Sequence, residues 1–235
     1  MSRNASFEKT ARVSRMFARI APSYDLMNRL ISVGRDQQWR RQTADLAAPP
    51  PGGLALDVAT GTGDLALLLA ERTGRVVGSD ACAGMVGPGV GKIAGSGLGS
   101  RIRFVLSDAQ ELPFQDERFD CVTVAFGVRN MADPLAAFSE MRRVVKSGGN
   151  VVCLEIMPPS GGLLGRLYKL YLTRLVPLLG GLVSGQPEAY RYLSDSVLGF
   201  ASPEELSSIM ERAGLVQVTH RALNFGSIGI HVGIR

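Results

Sequence analysis

Cysteine and histidine are both scarce. The three cysteines, Cys82, Cys121 and Cys153, are odd in number, far apart and outside any CxxC spacing, so neither a disulfide framework nor a zinc site is indicated. The two histidines, His220 and His231, lack partners at metal-ligand spacing. His231 alternates with Ile230 and Val232 and reads as a hydrogen-bonded sheet residue rather than a catalyst. Long apolar runs are missing as well. The N-terminus mixes Arg3, Glu8, Lys9, Arg12 and Arg15 among apolar residues and holds no apolar core of signal-peptide length, so export is not expected, and the cysteine pattern points to a reducing cytosol. No internal repeat is apparent. No basic stripe interleaved with aromatics is present either, so nucleic acid is not an expected partner.

What is present suffices for one sizeable core. The chain has 235 residues, 46% hydrophobic and 20% charged, which excludes global disorder and fits one domain with appendages. A net charge of +5 fits an anionic membrane surface or an acidic cofactor as well as nucleic acid, and does not choose among them.

Residues 5 to 46 read as helical, interrupted at Pro22, and make residues 1–48 an N-terminal helical extension that covers a substrate; residues 1 to 10 are its loose end. Pro49-Pro50-Pro51-Gly52-Gly53 stops it, and 49–235 forms the main domain. Short apolar runs at Leu54 to Ala59, Arg75 to Asp80, Ile102 to Asp108, Asp120 to Phe126 and Asn150 to Ile156 alternate with helical stretches, the pattern of a parallel sheet covered on both faces. Asp133 and Pro134 start a helix that Gly148-Gly149 ends, and Ser202, Pro203 and Glu205 form a capping box for a helix that Gly214 closes. The runs Val216 to Leu223 and Ser227 to Arg235 lack a helix between them and are predicted to pair as an antiparallel hairpin. The glycine-rich stretch Ala81 to Ser100 predicts a frayed helix. Residues 157–201 are too long for an ordinary connection and read as a substrate or lid insert.

The loop from Asp57 to Gly63 ends the first strand and opens a helix, with Gly61, Thr62 and Gly63 where a ligand can approach the backbone. Asp80, about 20 residues beyond the glycine turn, is placed to accept hydrogen bonds from ribose hydroxyls. Gly61 to Ala66 also satisfies the dinucleotide pattern, so a nicotinamide enzyme competes on this loop alone. Two features favour S-adenosylmethionine. Asp108, leaving the third strand, can accept from an adenine amino group while Ala109 leaves room beside the ring, and dinucleotide domains normally continue with parallel strands rather than a hairpin.

The chain also resembles a known family, the ubiquinone and menaquinone biosynthesis C-methyltransferases. The residues that carry the likeness are Phe17, Ile20-Ala21-Pro22, Tyr24-Asp25-Leu26-Met27-Asn28-Arg29, Asp57 to Asp64, Asp108-Ala109 with Leu112-Pro113-Phe114, Phe126-Gly127-Val128-Arg129-Asn130, Ala189-Tyr190 with Tyr192-Leu193 and Ser196, and Ile230-His231 with Gly233. The resemblance implies an α/β, Rossmann-like class I methyltransferase fold with a seven-stranded, mostly parallel sheet. It further implies a prenylated quinol as substrate and cofactor contacts at Thr62, Asp80, Asp108 and Ala109. Ala125, grouped with these positions, stands where some members have serine, and the run of glycines from Gly84 to Gly99 is atypical.

A sulfonium methyl is already electrophilic, so the protein needs mainly alignment, exclusion of water and an electron-rich acceptor carbon. Arg129, with Asn130 as a hydrogen-bond donor, is the candidate for stabilising the oxyanion of an ionising quinol. A guanidinium is too weak a base to take the proton itself. Tyr24, with Asp25 and Asn28, is a candidate to close over the substrate. In the insert, Arg166, Lys169 and Thr173 follow helical spacing among leucines and tyrosines, too interrupted by cations to span a bilayer. Two readings of 163–183 stay open: peripheral contact with the inner face of a membrane, or leucines used as core or as a homodimer interface.

Overall fold

The computed structural model describes residues 3–159 and 161–235. Residues 1 and 2, part of the expected loose end, and residue 160 in the insert lie outside them. The rest of that end is not loose: helix α1 (Arg3–Ile20) starts there, the Lys9 ammonium donates to the Met131 carbonyl (2.6 Å), and the Thr10 hydroxyl donates to Asp108 (3.3 Å). Amphipathic spacing forms the helix, but these long-range bonds hold its first turns.

Seven strands make one sheet in the order β3-β2-β1-β4-β5-β7-β6. They are β1 (Leu54–Val58), β2 (Arg75–Asp80), β3 (Ile102–Leu106), β4 (Phe119–Ala125), β5 (Val145–Ile156), β6 (Val216–Leu223) and β7 (Ile228–Ile234). The first five are mutually parallel, and β7 slots between β5 and β6 antiparallel to both. The expected C-terminal hairpin is therefore present.

Helices follow as α2 (Tyr24–Ser32), α3 (Asp36–Ala47), α4 (Asp64–Ala70), α5 (Ala83–Ala94), α6 (Pro134–Val144), α7 (Gly162–Leu170), α8 (Val176–Ser184), α9 (Pro187–Leu198) and α10 (Pro203–Arg212). Strands β1 and β4 are apolar and almost wholly buried because both their faces are covered. On one face Phe138 and Met141 of α6 and Leu206 and Met210 of α10 pack on Val122, Val124 and Val151. On the other, Trp39 and Ala44 of α3, Leu65 and Leu69 of α4 and Ile93 of α5 pack on Ala55, Val76 and Val152. A third core, with Ile20, Met27, Leu172, Val176, Tyr190 and Val197, joins the N-terminal helices to the 157–201 insert. The two segments thus form one cap against the carboxyl ends of the strands.

Two expectations need correction. Gly148-Gly149 does not end α6; the helix stops at Val144 and β5 begins at the next residue, with the glycine pair inside the strand. A side chain at 149 would lie 2.7 Å from the Asp120 carbonyl, so close strand approach, rather than helix termination, demands glycine there. The stretch expected to fray is a 12-residue helix, α5, even with Pro88 inside it. Its glycines serve packing: a Cβ on Gly84 would sit 2.7 Å from the Ala18 Cβ of α1, and one on Gly89 would sit 3.0 Å from the Phe104 ring. Tertiary contact outweighs the low helix propensity of glycine.

His231 is fully buried on β7, where Nε2 meets the Pro203 carbonyl at 3.0 Å and the ring stacks on His220. Burial pulls its pKa down to about 4, in keeping with a neutral, hydrogen-bonded sheet residue.

The α1–α5 seam yields a test. Gly84→Leu should force α1 off α5 at an overpacking cost of about 1–3 kcal/mol. Tryptic cleavage at Arg12, Arg15 or Arg19 should then accelerate roughly 10-fold or more, with the far-ultraviolet signal of the sheet retained. An unchanged cleavage rate would show that the seam does not hold α1.

Candidate active site

Strands β1 and β4 lie side by side and end at the same rim, and each passes into a non-glycine residue in the left-handed region, Ala59 (φ +52°) and Phe126 (φ +59°). Such backbone is uncommon outside glycine, and for a bulky side chain it is strained. The bend at Phe126 turns its carbonyl to accept from Arg129 Nη1 (2.7 Å) and Asn130 Nδ2 (3.4 Å). The Phe126 ring lies beneath the Arg40 guanidinium, 5.0 Å from centroid to Cζ, and edge-on to Trp39. Gly127 is needed beside it, because a Cβ would stand 2.6 Å from that of Ala59.

Two cavities meet at this rim. The smaller, about 110 Å³, is lined by Gly61, Asp80, Ala81, Asp108, Ala109, Ala125 and the α1 residues Thr10, Val13 and Ser14. The larger, about 400 Å³, is lined by Ile20, Asn28, Trp39, Arg129, Tyr168, Tyr171, Tyr190 and Tyr192 among others. Phe17, Tyr24, Phe126 and Asn130 line both and form the partition.

Of the residues singled out by sequence, Gly61, Asp80, Asp108, Ala109 and Ala125 come together on the smaller cavity, Arg129 on the larger, and Tyr24 and Asn130 on the partition. Asp57, Thr62 and Gly63 line neither. Asp57 is buried, accepting from the Thr60 (2.7 Å) and Thr123 (2.8 Å) hydroxyls, and so pins the loop to β4 from behind. The Thr62 hydroxyl is committed to Asp25 (2.6 Å), and Gly63 supplies the left-handed turn (φ +82°) into α4. These three shape the loop through its interior contacts.

Asp80 accepts from the Gly61 N–H (2.7 Å) and the Cys82 N–H (2.8 Å). Burial raises its pKa despite those donors. Among the described residues, no Lys, Arg or His lines the smaller cavity. Its two carboxylates and small residues suit a cationic nucleoside with hydroxyls and an amino group.

The larger cavity is aromatic and mostly apolar, yet four polar atoms of its lining, Asn28 Nδ2, Arg129 Nε, Asn130 Oδ1 and the Tyr190 hydroxyl, are buried without a hydrogen-bond partner among the described residues. Buried polar groups left unpaired cost free energy and mark places where a ligand's own polar atoms belong. Glu155, which sequence reasoning missed, sits at the end of β5, fully buried, and binds Arg129 Nη1 at 2.5 Å. A carboxylate closing the run Val151-Val152-Cys153-Leu154 at a strand terminus was the available signal.

Also missed was a knot of charges beneath the cofactor loop. Asp64 binds Lys92 (2.7 Å) and Arg29 (3.3 Å) and lies 3.9 Å from Arg40, while Lys92 reaches Asp25 (2.6 Å) and Arg29 pairs with Asp36. Burial pushes the Asp64 carboxyl up, but Arg40, Lys92 and Arg29 together outweigh it and hold its pKa below the usual value.

A seven-stranded sheet in this order, with a carboxylate-lined cofactor cavity at its carboxyl rim, defines the class I S-adenosylmethionine-dependent methyltransferases. In agreement, a SAM dependent methyltransferase structure from Aquifex aeolicus superposes with a TM-score of 0.63 at 18% identity, covering 89% of this chain and 97% of that one, a likeness of fold alone. Sequence gives the narrower assignment: residues 5–235 match the ubiE/COQ5 methyltransferase family, and the chain belongs to that family. It is 48% identical over 222 residues to the demethylmenaquinone methyltransferase of Thermus thermophilus, covering 94% of this chain and all of that one. It is 45% identical to the ubiquinone/menaquinone biosynthesis C-methyltransferase UbiE of Geobacter sulfurreducens, covering 96% and 89%.

Asp57 gives a pH test of the loop's anchoring. Burial, only partly offset by the two threonine hydroxyls, raises its pKa to about 6 from an ordinary 3.8. A raised carboxyl favours the folded state fully below the ordinary value, and this contribution is lost as pH rises through about 6. Asp57→Asn removes the titration. The melting temperature of the variant relative to the native chain should therefore be highest above pH 6 and fall toward pH 4, a swing of about 2–3 kcal/mol. A difference independent of pH between 4 and 7.5 would exclude a buried, titrating Asp57.

Proposed function

We infer that this chain transfers a methyl group from S-adenosylmethionine to a ring carbon of a prenylated quinol, as in the demethylmenaquinol to menaquinol step or its ubiquinone-pathway counterpart. One observation carries the reading: a large aromatic cavity with four unpaired polar atoms abuts the cofactor cavity through a partition of four residues. When bound, S-adenosylmethionine supplies an electrophilic methyl. Gly61, Asp80, Asp108, Ala109 and Ala125 are the residues that would hold it, with Thr10, Val13 and Ser14 of α1 covering them.

Everything else is done by the chain's own groups. The aromatic walls, Trp39, Phe126 and the tyrosines, stack on a quinol ring and exclude water. Methylation at carbon requires charge pushed into the ring from an ionised hydroxyl, and the unpaired Arg129 Nε–H is the donor suited to that oxyanion. Glu155 acts as a positioning residue: it holds Nη1 and accepts the Arg129 backbone N–H (3.2 Å), which aims the guanidinium and moderates its charge. Asn28 Nδ2 is free to donate to the second quinol oxygen, whereas Asn130, expected from sequence to donate, turns its Nδ2 to the Phe126 carbonyl and leaves Oδ1 to accept from a quinol hydroxyl; Tyr24 closes the partition.

A prenylated substrate resides in lipid, and the insert is built to approach it. Leu163, Leu164, Leu167, Leu170, Leu178 and Leu182 are exposed, Leu182 to 76%, with Arg166, Lys169 and Arg174 exposed among them. These leucines are therefore not core; Leu172 and Val176 take that role. Among the described residues no helix is long and apolar enough to cross a membrane. Leucine side chains are worth about 1.5–3 kcal/mol each when buried in hydrocarbon, so insertion of a few, aided by anionic headgroups, gives reversible attachment at the inner face of the membrane. A face between two copies of the chain is the competing use of the same surface.

Two experiments test this. Purified chain with methyl-labelled cofactor and demethylmenaquinol should yield a ring-methylated product by mass spectrometry. Arg129→Lys, which cannot hold Glu155 and donate to the oxyanion together, should lower kcat about 100-fold or more with S-adenosylmethionine affinity intact; native turnover in that variant would remove Arg129 from the chemistry. For the surface, the native chain should float with anionic vesicles, and Leu163→Asp with Leu167→Asp should reduce the bound fraction at least about tenfold. A native chain that stays unbound but sediments as a dimer would assign the face to self-association.

A further inference from the structure

Next to the large cavity, and sharing part of its wall, lies a third of about 190 Å³. Tyr168, Asn224 and Ser227 line both. The remainder of its wall is Pro159, Leu164, Gly165, Phe225 and Gly226, with no charged side chain among the lining residues. The proposed quinol reading leaves this annex without a role.

Phe225 is its most telling feature. It stands in the turn between β6 and β7, 89% exposed, at φ +57°. Exposure forfeits the free energy of burying an aromatic ring, and left-handed backbone is strained for a bulky residue, so the folded chain alone gives no return for phenylalanine here. On the opposite lip Leu164 is 67% exposed, next to Leu163 and Leu167 of the same helix face. Between the lips and the ring cavity the path is gated by the Tyr168 side chain, whose burial raises its pKa and keeps the phenol neutral. A hydrogen bond from Arg35 Nη1 to Asn224 Oδ1 (2.9 Å) closes the neighbouring edge of the large cavity. A hydrocarbon chain attached to a ring beside Arg129 therefore has an uncharged way out toward the exposed leucines.

We propose that this annex is the subsite for the isoprenoid tail of the substrate, which leaves the ring cavity past Tyr168 and Ser227 and emerges between Leu164 and Phe225 into the leucine face of α7. The proposal rests on the prenyl-quinol reading and deepens it. The annex takes hydrocarbon because nothing in its wall can recognise a charge, and because its outer lip continues into the surface assigned to lipid. The tail thus need not leave the bilayer entirely for the ring to reach the methyl donor.

The test compares demethylated quinols carrying no tail and carrying one to three isoprene units, assayed in detergent micelles so that membrane binding plays no part. The quantity read is the ratio of kcat/KM with and without a tail, within each protein. In the native chain the ratio should rise at least about tenfold. Phe225→Asp and Leu164→Asp, both at exposed positions, should each collapse it toward unity, whereas Leu182→Asp, on the leucine surface but outside the annex, should leave it at the native value. A tail-borne diazirine should label the peptides containing Leu164 or Phe225. A native ratio persisting in both annex variants, or labelling confined to other peptides, would overturn the tail route while leaving the prenyl-quinol reading in place. Absence of methyl transfer by the native chain to every quinol, tailed or not, would overturn that reading and the route together.

Discussion

The site depends on the knot of charges that ties the N-terminal helices to the underside of the cofactor loop. Asp64, the first residue of α4, draws Lys92 of α5, Arg29 of α2 and Arg40 of α3 onto one carboxylate, while Asp25 and Asp36 balance the remaining charge. Buried ions are costly unless paired and hydrogen-bonded. This arrangement is retained only if α2, α3, α5 and the loop meet in one geometry, so it specifies the register of four elements at once. Tyr24 and Asn28 project from α2 and Trp39 from α3, which means that the walls of the larger cavity are located by contacts made behind the cofactor loop. The two binding cavities cannot move independently.

A second constraint acts at the partition. Phe126 is strained at the end of β4, and its carbonyl, ring and neighbours are all used: the carbonyl holds Arg129 and Asn130, the ring supports Arg40 and meets Trp39. Arg40 is thus shared between the charge knot and the partition. Glu155 from the neighbouring strand completes the setting of Arg129. In the proposed reaction, preorganisation of this kind would place a hydrogen-bond donor where negative charge develops, with the reorganisation cost met during folding rather than at each turnover. The cap formed by α1, α2, α7, α8 and α9 packs over the larger cavity, and its outer surface carries the exposed leucines.

Much of this was legible in the chain. Strand positions, the capping box at Ser202, the antiparallel ending and the grouping of Gly61, Asp80, Asp108 and Ala109 follow from local rules: buried parallel strands are continuous apolar runs, and ligands bind where strands end in glycine turns. The α6 terminus and α5 were misread because glycine has two uses. Local propensity treats Gly148, Gly149, Gly84 and Gly89 as breakers, whereas the structure uses Gly149, Gly84 and Gly89 for close approach to another segment. For Thr62 the family resemblance implied a cofactor contact, and the structure adds a partner that no local pattern announces: its hydroxyl donates to Asp25, 37 residues away.

By itself, then, the sequence determined the fold class, the cofactor edge and the presence of Arg129 and Asn130 on the loop after β4, since each depends on residues close together in the chain and on periodicity. Only the tertiary structure decided which polar groups would be left unpaired, that Glu155 would hold Arg129, that three cations would gather on Asp64, and that Phe225 and Leu164 would line one groove. Those features join residues far apart in the chain, and pairing over such distances is selected by packing and by the exclusion of water from buried charge, which no local pattern encodes.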